Sequence, residues 1–187
     1  MRDGQEVAAV VEVDIRVDRT KALVLGHVRE MLATSGPDFV TYSTVAKSAG
    51  TTRQTLYRHW PTISALLTEA LLAGPMVSYP TSAGLLRDDL VAFLRSLRNG
   101  MRESATASGL LALMSSAEHD DRSTAALRSI THDRRKELNA LIGRPGAVDT
   151  EGFARLAGPV LFRRFVQRQS VMNAFIDHVV DAFLAAT

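Results

Sequence analysis

Cysteine is absent from this 187-residue chain. Disulfides, thiolate zinc sites and cysteine nucleophiles are therefore excluded, and the expected location is the cytoplasm. Aromatic residues make up only 6%, with one Trp and three Tyr, so a core must rest mainly on aliphatic side chains. No apolar run approaches the roughly 20 residues of a membrane span. No charged segment followed by an apolar one opens the chain, so no signal peptide is expected. Also missing are a Gly-rich nucleotide loop, a Gly-x-Ser-x-Gly elbow and a His-Glu-x-x-His helix. The expectation is a protein that is not an enzyme, with no cofactor and no metal. His119-Asp120-Asp121 and His132-Asp133 read as solvated helix ends, because neighbouring residues on a helix diverge in direction.

One absence is local. No acidic residue occurs between Thr41 and Thr68. The overall balance is nearly even, with 22 basic and 20 acidic residues, so the distribution of charge says more than its sum. From Arg19 to Trp60 the basic side chains are Arg19, Lys21, Arg29, Lys47, Arg53 and Arg58, against Glu30 and Asp38 alone. Within this segment Thr41 to Trp60 predicts two short helices. Thr41 can cap the first, since its hydroxyl accepts from an unpaired N–H of the opening turn. Val45, Ala46 and Ala49 give it a small apolar face. Gly50 breaks it, Thr51 or Thr52 caps the second helix, and Leu56 points inward. This is the pattern of a helix-turn-helix. The second helix leaves Arg53, Gln54, Thr55, Tyr57, Arg58 and His59 as an exposed row of hydrogen-bond donors. Arg and Gln at the start of such a helix suit guanine and adenine edges in a major groove; Thr, Tyr and His suit phosphate or methyl contacts. With Thr41, Ser43 and Thr52 they form the candidate DNA-binding set. An ordinary basic amphipathic helix would share part of this pattern.

Ala49-Gly50, then Thr55-Leu56-Tyr57-Arg58-His59-Trp60-Pro61, then Ala65-Leu66-Leu67 resemble the DNA-binding domain of TetR-type (tetracycline-repressor-like) transcriptional regulators. The spacing agrees without gaps. The chain departs from the usual pattern at Ile63, where Lys is frequent, and at Ser43, where Arg is frequent. The resemblance implies an all-α fold: an N-terminal three-helix domain with a helix-turn-helix, and a C-terminal helical domain for effector binding and dimerisation.

The periodicity is consistent with that division. Residues 1–18 alternate Val with acidic residues and are expected as a mobile, extended tail. Residues 19–62 form the DNA-binding domain, with a first helix over about 19–34 whose stripe is Val24, Leu25, Val28, Met31 and Leu32; Phe39 and Trp60 fill space behind the helix-turn-helix. Residues 63–187 form the second domain. Its helices are expected near 62–73, 85–101, 104–116, 122–142, 150–167 and 171–185, with Gly143-Arg144-Pro145-Gly146 as a stop.

The last two helices are dense in large apolar groups. Leu161, Phe165, Phe175, Ile176, Val179, Val180 and Phe183 would stay partly exposed unless a second subunit covered them. Gly158 to Arg164 and Phe175-Ile176-Asp177 resemble the family's dimerisation region, which implies a homodimer. The resemblance also implies a small-molecule pocket, with Phe93, Leu97, Met101, Leu110, Met114, Phe153 and Phe162 as candidates and an apolar or aromatic effector. The reading is a homodimeric, sequence-specific regulator of a palindromic operator in double-stranded DNA, most simply a repressor. A DNA-binding architectural protein without an effector and a small-molecule-binding helical module are the alternatives.

Overall fold

The structure is a computed structural model that describes the backbone of residues 3–74 and 80–186, with side chains from residue 19 onward. Among the described residues there are nine α-helices and no strand, as expected of an all-α chain. No described helix is long and apolar enough to cross a membrane. Contacts divide the chain into two compact units: Met1–Pro75 with Ser104–Thr124, and Met76–Glu103 with Ala125–Thr187.

The first unit contains α1 (Asp3–Thr34), α2 (Tyr42–Ser48), α3 (Arg53–His59), α4 (Ile63–Leu72) and α6 (Ser104–Ser116). The stripe expected on α1 is the one it buries: Val24, Leu25, Val28 and Leu32 meet Val45, Leu56, Leu66 and Ala70 in one core. Residues 3–18 continue α1 as helix, where an extended tail was expected. Helix propagates readily from an anchored segment, whereas a single strand has no partner to pair with. Their side chains lie outside the described residues.

Two further expectations are corrected. Phe39 does not fill the core; it is 62% exposed. The short 3-10 turn Pro37–Phe39 turns the chain so that Val40, one residue later, is the buried one. Helix α6, expected with the second domain, packs in the first unit against α1 and α4. Its approach is close because Gly109 faces them: a Cβ there would lie 3.4 Å from Leu71 Cδ1 and 3.5 Å from Leu32 Cδ1. Ala105 and Ala112 occupy the same face and join the same core. Small residues at i, i+4 and i+7 let two backbones approach, a signal easily overlooked beside Leu110, Leu111 and Leu113.

The second unit contains α5 (Leu86–Gly100), α8 (Thr150–Leu161) and α9 (Asn173–Ala185), and residues 125–141 of α7 (Asp121–Leu141). Leu90, Phe93, Leu94, Leu138, Leu156, Val160, Ile176 and Val180 form its core. Asp149 caps α8 by accepting from Gly152 N–H at 2.7 Å. The expected continuation of α8 to residue 167 is instead a π-helical turn, Phe162–Val166. Pro159 lies inside α8 and cannot donate an N–H, which loosens the hydrogen-bond ladder there.

Trp60 ties the first unit together. It is 2% exposed, its indole N–H donates to Glu69 Oε2 at 2.5 Å, and its carbonyl accepts from the Tyr42 hydroxyl at 2.6 Å. Trp60→Phe keeps most of the apolar volume but strands the half-buried Glu69 carboxylate. We expect a loss of about 1–3 kcal/mol in urea denaturation, and a change within experimental error would show that this bond is not stabilising.

Candidate nucleic-acid interface

Local rules build the α2–α3 pair. The Thr41 hydroxyl accepts from Thr44 N–H at 3.2 Å, while Thr41 N–H donates to Thr44 Oγ1 at 2.9 Å. This reciprocal box satisfies two donors that a helix start leaves unpaired. Gly50 then takes a left-handed backbone, φ 62°, which costs an L side chain energy but not glycine. Thr51 N–H returns to Ala46 O at 3.0 Å, and Thr52, of the two threonines considered, caps α3 through Thr55 N–H at 3.1 Å. Val45 and Ala46 bury against Leu56, so the two helices share one small contact surface.

That packing decides which α3 side chains face outward. Leu56 is fully buried; Arg53, Gln54, Tyr57 and Arg58 are exposed, at i, i+1, i+4 and i+5. Gln54, Thr55, Tyr57 and Arg58 line a shallow depression of about 580 Å³. Seven residues of helix span about 10 Å, short enough to lie in a major groove. His59 is half-buried with its ring 5.7 Å from that of Trp60, so it stands aside from the outward row. Thr41, Ser43 and Thr52 are exposed, although the hydroxyls of Thr41 and Thr52 are engaged in their caps. Lys47, in the last turn of α2, is a further exposed cation beside this surface.

Tyr42 was not among the expected site residues. Its ring lies 4.0 Å from that of Tyr57, centroid to centroid, and its hydroxyl is fixed on the Trp60 carbonyl. Burial, and secondarily the neighbouring Tyr57 hydroxyl, push the Tyr42 phenol above its ordinary pKa, so it remains a protonated donor. Tyr42 thus props Tyr57 from behind. The sequence signal was available in principle, an aromatic at the first position of α2, but its partner is 15 residues away.

The other expected sites fare unevenly. Phe93 and Phe153 meet edge-on with centroids 6.1 Å apart, and Met101 and Leu97 belong to the same core. Leu110 and Met114 lie on α6 in the first unit, and Phe162 is 53% exposed. Of the expected interface residues, Ile176, Val179 and Val180 are buried in their own unit's core, with at most 7% of their surface exposed. Leu161, Phe165, Phe175 and Phe183 are partly buried against that core. Guanidinium groups of Arg164, Arg163 and Arg155 stand over the rings of Phe165, Phe175 and Phe183 at 5.6, 4.5 and 5.7 Å. Among the described residues, the large apolar groups left outward here are Phe162, Val166 and Met172. Among the described residues no group of three or more His, Asp or Glu could hold a metal. Asp120 instead caps the start of α7, where the Ser123 hydroxyl, at 2.7 Å, is the main reason its carboxyl is held below the usual range.

The profile described as "Tetracyclin repressor-like, C-terminal domain" matches residues 80–183, more than half the chain, and "Bacterial regulatory proteins, tetR family" matches residues 28–70. An uncharacterized HTH-type transcriptional regulator of Mycobacterium tuberculosis is 26% identical over 164 residues, 80% of each chain. A counterpart in Mycobacterium bovis matches equally. Among solved structures, the TetR family transcription regulator SCO0332 superposes with a TM-score of 0.67 at 26% identity, covering 90% of this chain and 98% of its own.

Arg53→Ala and Gln54→Ala are each expected to weaken binding to a specific DNA site by about 1–3 kcal/mol, with a smaller effect on random DNA. Fluorescence anisotropy on both DNAs checks this; equal losses on the two would mean that these side chains do not read bases.

Proposed function

Because the chain belongs to the TetR family of bacterial transcriptional regulators and is a helix-turn-helix DNA-binding regulator, we propose that it acts as a homodimeric repressor of a palindromic operator, released by a small effector. The observation that carries the reading is the outward row Arg53, Gln54, Tyr57 and Arg58 on α3, in a stretch from Thr41 to Thr68 without a single carboxylate. Arg53 and Gln54 reach base edges; Tyr57, Arg58, Thr41, Ser43 and Lys47 meet phosphates and sugars. Phosphate contacts set register and affinity, while base contacts set specificity.

A single α3 reads few bases, so a second copy is needed. Two recognition helices related by a two-fold axis read half-sites about 34–36 Å apart. The second copy covers Phe162 and Val166, with Leu161 and Phe165 beside them; exposed apolar groups of this size in neighbouring turns favour a partner. The effector binds one arrangement of the dimer more tightly than another, which is the only way a ligand can shift such an equilibrium. Its apolar part is accommodated in the second unit, where Phe93, Leu97, Met101 and Phe153 supply adaptable apolar surface.

The first test is anisotropy on the DNA upstream of the protein's own gene and on a scrambled control, at two salt concentrations. A preference that survives higher salt is expected; equal, salt-sensitive binding to both would reduce the reading to phosphate contacts. For the assembly, Phe162→Glu with Val166→Glu is expected to convert the dimer to monomer in sedimentation velocity, with unchanged helicity and at least tenfold weaker operator binding. A dimer that persists would remove this face from the interface.

A further inference from the structure

Two sets among the arginines of the second unit contrast. Those along the α5–α9 seam meet carboxylates: Arg87 forms a two-pronged pair with Asp181 at 2.7 and 3.1 Å, and Arg95 lies 3.6 Å from Asp177. Four others do not. Arg98 and Arg102 at the end of α5, Arg164 in the π-helical turn and Arg168 in the linker to α9 converge on one cleft of about 610 Å³, and none of its ten lining residues is acidic. Among the described residues no ion pair joins these four to a carboxylate.

Several features hold the cleft in shape. Arg98 is anchored through Nη1, which donates to Asn173 Oδ1 at 2.7 Å and to the Val171 carbonyl at 3.3 Å. Arg163 braces the same linker from outside by donating to the Ser170 carbonyl at 3.0 Å. Arg168 has a left-handed backbone, φ 56°, alone among the described non-glycine residues; such a conformation persists where the surroundings over-determine it. Burial first, then the like charges of Arg102 and Arg95, push the Arg98 guanidinium below its ordinary pKa. Four cations gathered without a counter-charge repel one another, and an anion would relieve that repulsion. Guanidinium forks match the paired oxygens of a carboxylate or phosphate. Met101 and Val171 form a buried apolar floor, and Met172, 62% exposed, gives the cleft its accessible apolar surface.

We propose that this cleft binds a small amphipathic anion, its carboxylate or phosphate held by Arg98, Arg102, Arg164 and Arg168 and its carbon body laid against Met172 above the Met101 and Val171 floor. As an anion site the cleft stands by itself; as the seat of the effector it rests on the regulator reading above and deepens it. Met101 also belongs to the apolar core beside Phe93 and Phe153, so an occupant would lie next to the residues assigned above to the effector's apolar part.

The test is calorimetric titration of the full chain at low salt with octanoate, octyl phosphate and 1-octanol, three probes that share a tail and differ in charge. At least one anion is expected to bind tenfold or more tighter than octanol, and the tighter of the two identifies the head group. Arg102→Gln and Arg168→Gln, both exposed and expected to leave the circular dichroism unchanged, should each weaken that anion about fivefold or more, and the double variant should approach octanol. Arg128→Gln, an exposed arginine elsewhere on the chain, should have no effect. Equal binding of all three probes, an unaffected double variant, or an equal loss in Arg128→Gln would each overturn the site. Anisotropy then separates the two claims. Release of DNA by the anion from the wild type but not from the double variant supports the effector role. Anion binding that leaves DNA affinity unchanged overturns that role and keeps the site. Failure to bind DNA at all counts against the regulator reading alone.

Discussion

The burial of Trp60 is the constraint on which the DNA-reading surface depends. The residue ends α3, and its indole N–H is bound to Glu69 one turn before the end of α4. Its carbonyl receives the hydroxyl of Tyr42 from the first position of α2. One side chain and its own peptide therefore fix three helices, each of seven to ten residues, none of which would be stable alone in water. A buried indole without its acceptor would cost more than the bond contributes, so the arrangement tolerates little movement. That rigidity places Arg53, Gln54, Tyr57 and Arg58 in a defined row.

A second anchoring contact acts at the other end of α4. Arg29 of α1 donates to the Ala70 carbonyl at 3.0 Å, and its guanidinium packs so closely on Gly74 that a Cβ there would fall 2.2 Å from Nη1. The last carbonyls of a helix lack intrahelical donors, and a cation there also suits the helix dipole. Helix α4 is thus held at its start by the Thr62 cap, in its middle by Trp60, and at its end by Arg29. A change in α4 reaches α3 through the Glu69–Trp60 bond and through the core that Leu66 and Ala70 share with Leu56.

The second unit uses arginine differently. Arg155, Arg163 and Arg164 lie over Phe183, Phe175 and Phe165, which shields aromatic faces while leaving the charged ends wet. The π-helical turn after Pro159 and the left-handed Arg168 then redirect the chain, bringing Arg164 and Arg168 toward Arg98 and Arg102. The outcome is a cluster of cations that residue counts would not reveal, since the chain as a whole is nearly neutral.

Much of this was determined by sequence alone, because the physics is local. Thr41, Thr52 and Thr62 cap helices through bonds to residues three positions on, Gly50 permits a left-handed turn, and the stripe from Val24 to Leu32 needs only the 3.6-residue repeat. The same locality made the outward row of α3 legible once Leu56 was taken as the inward residue. What only the tertiary structure decided depends on partners far apart in the chain. Phe39 is exposed because Val40 takes its place. Ile176, Val179 and Val180 are spent on their own core, although their apolarity alone suits an interface equally well. Helix α6 packs in the first unit through Ala105, Gly109 and Ala112, small residues whose value lies in what approaches them. The Arg98, Arg102, Arg164 and Arg168 cleft joins residues up to 70 positions apart, and no periodicity encodes such a meeting; it follows from how helices pack and from a bend that the hydrogen-bond ladder around Pro159 allows.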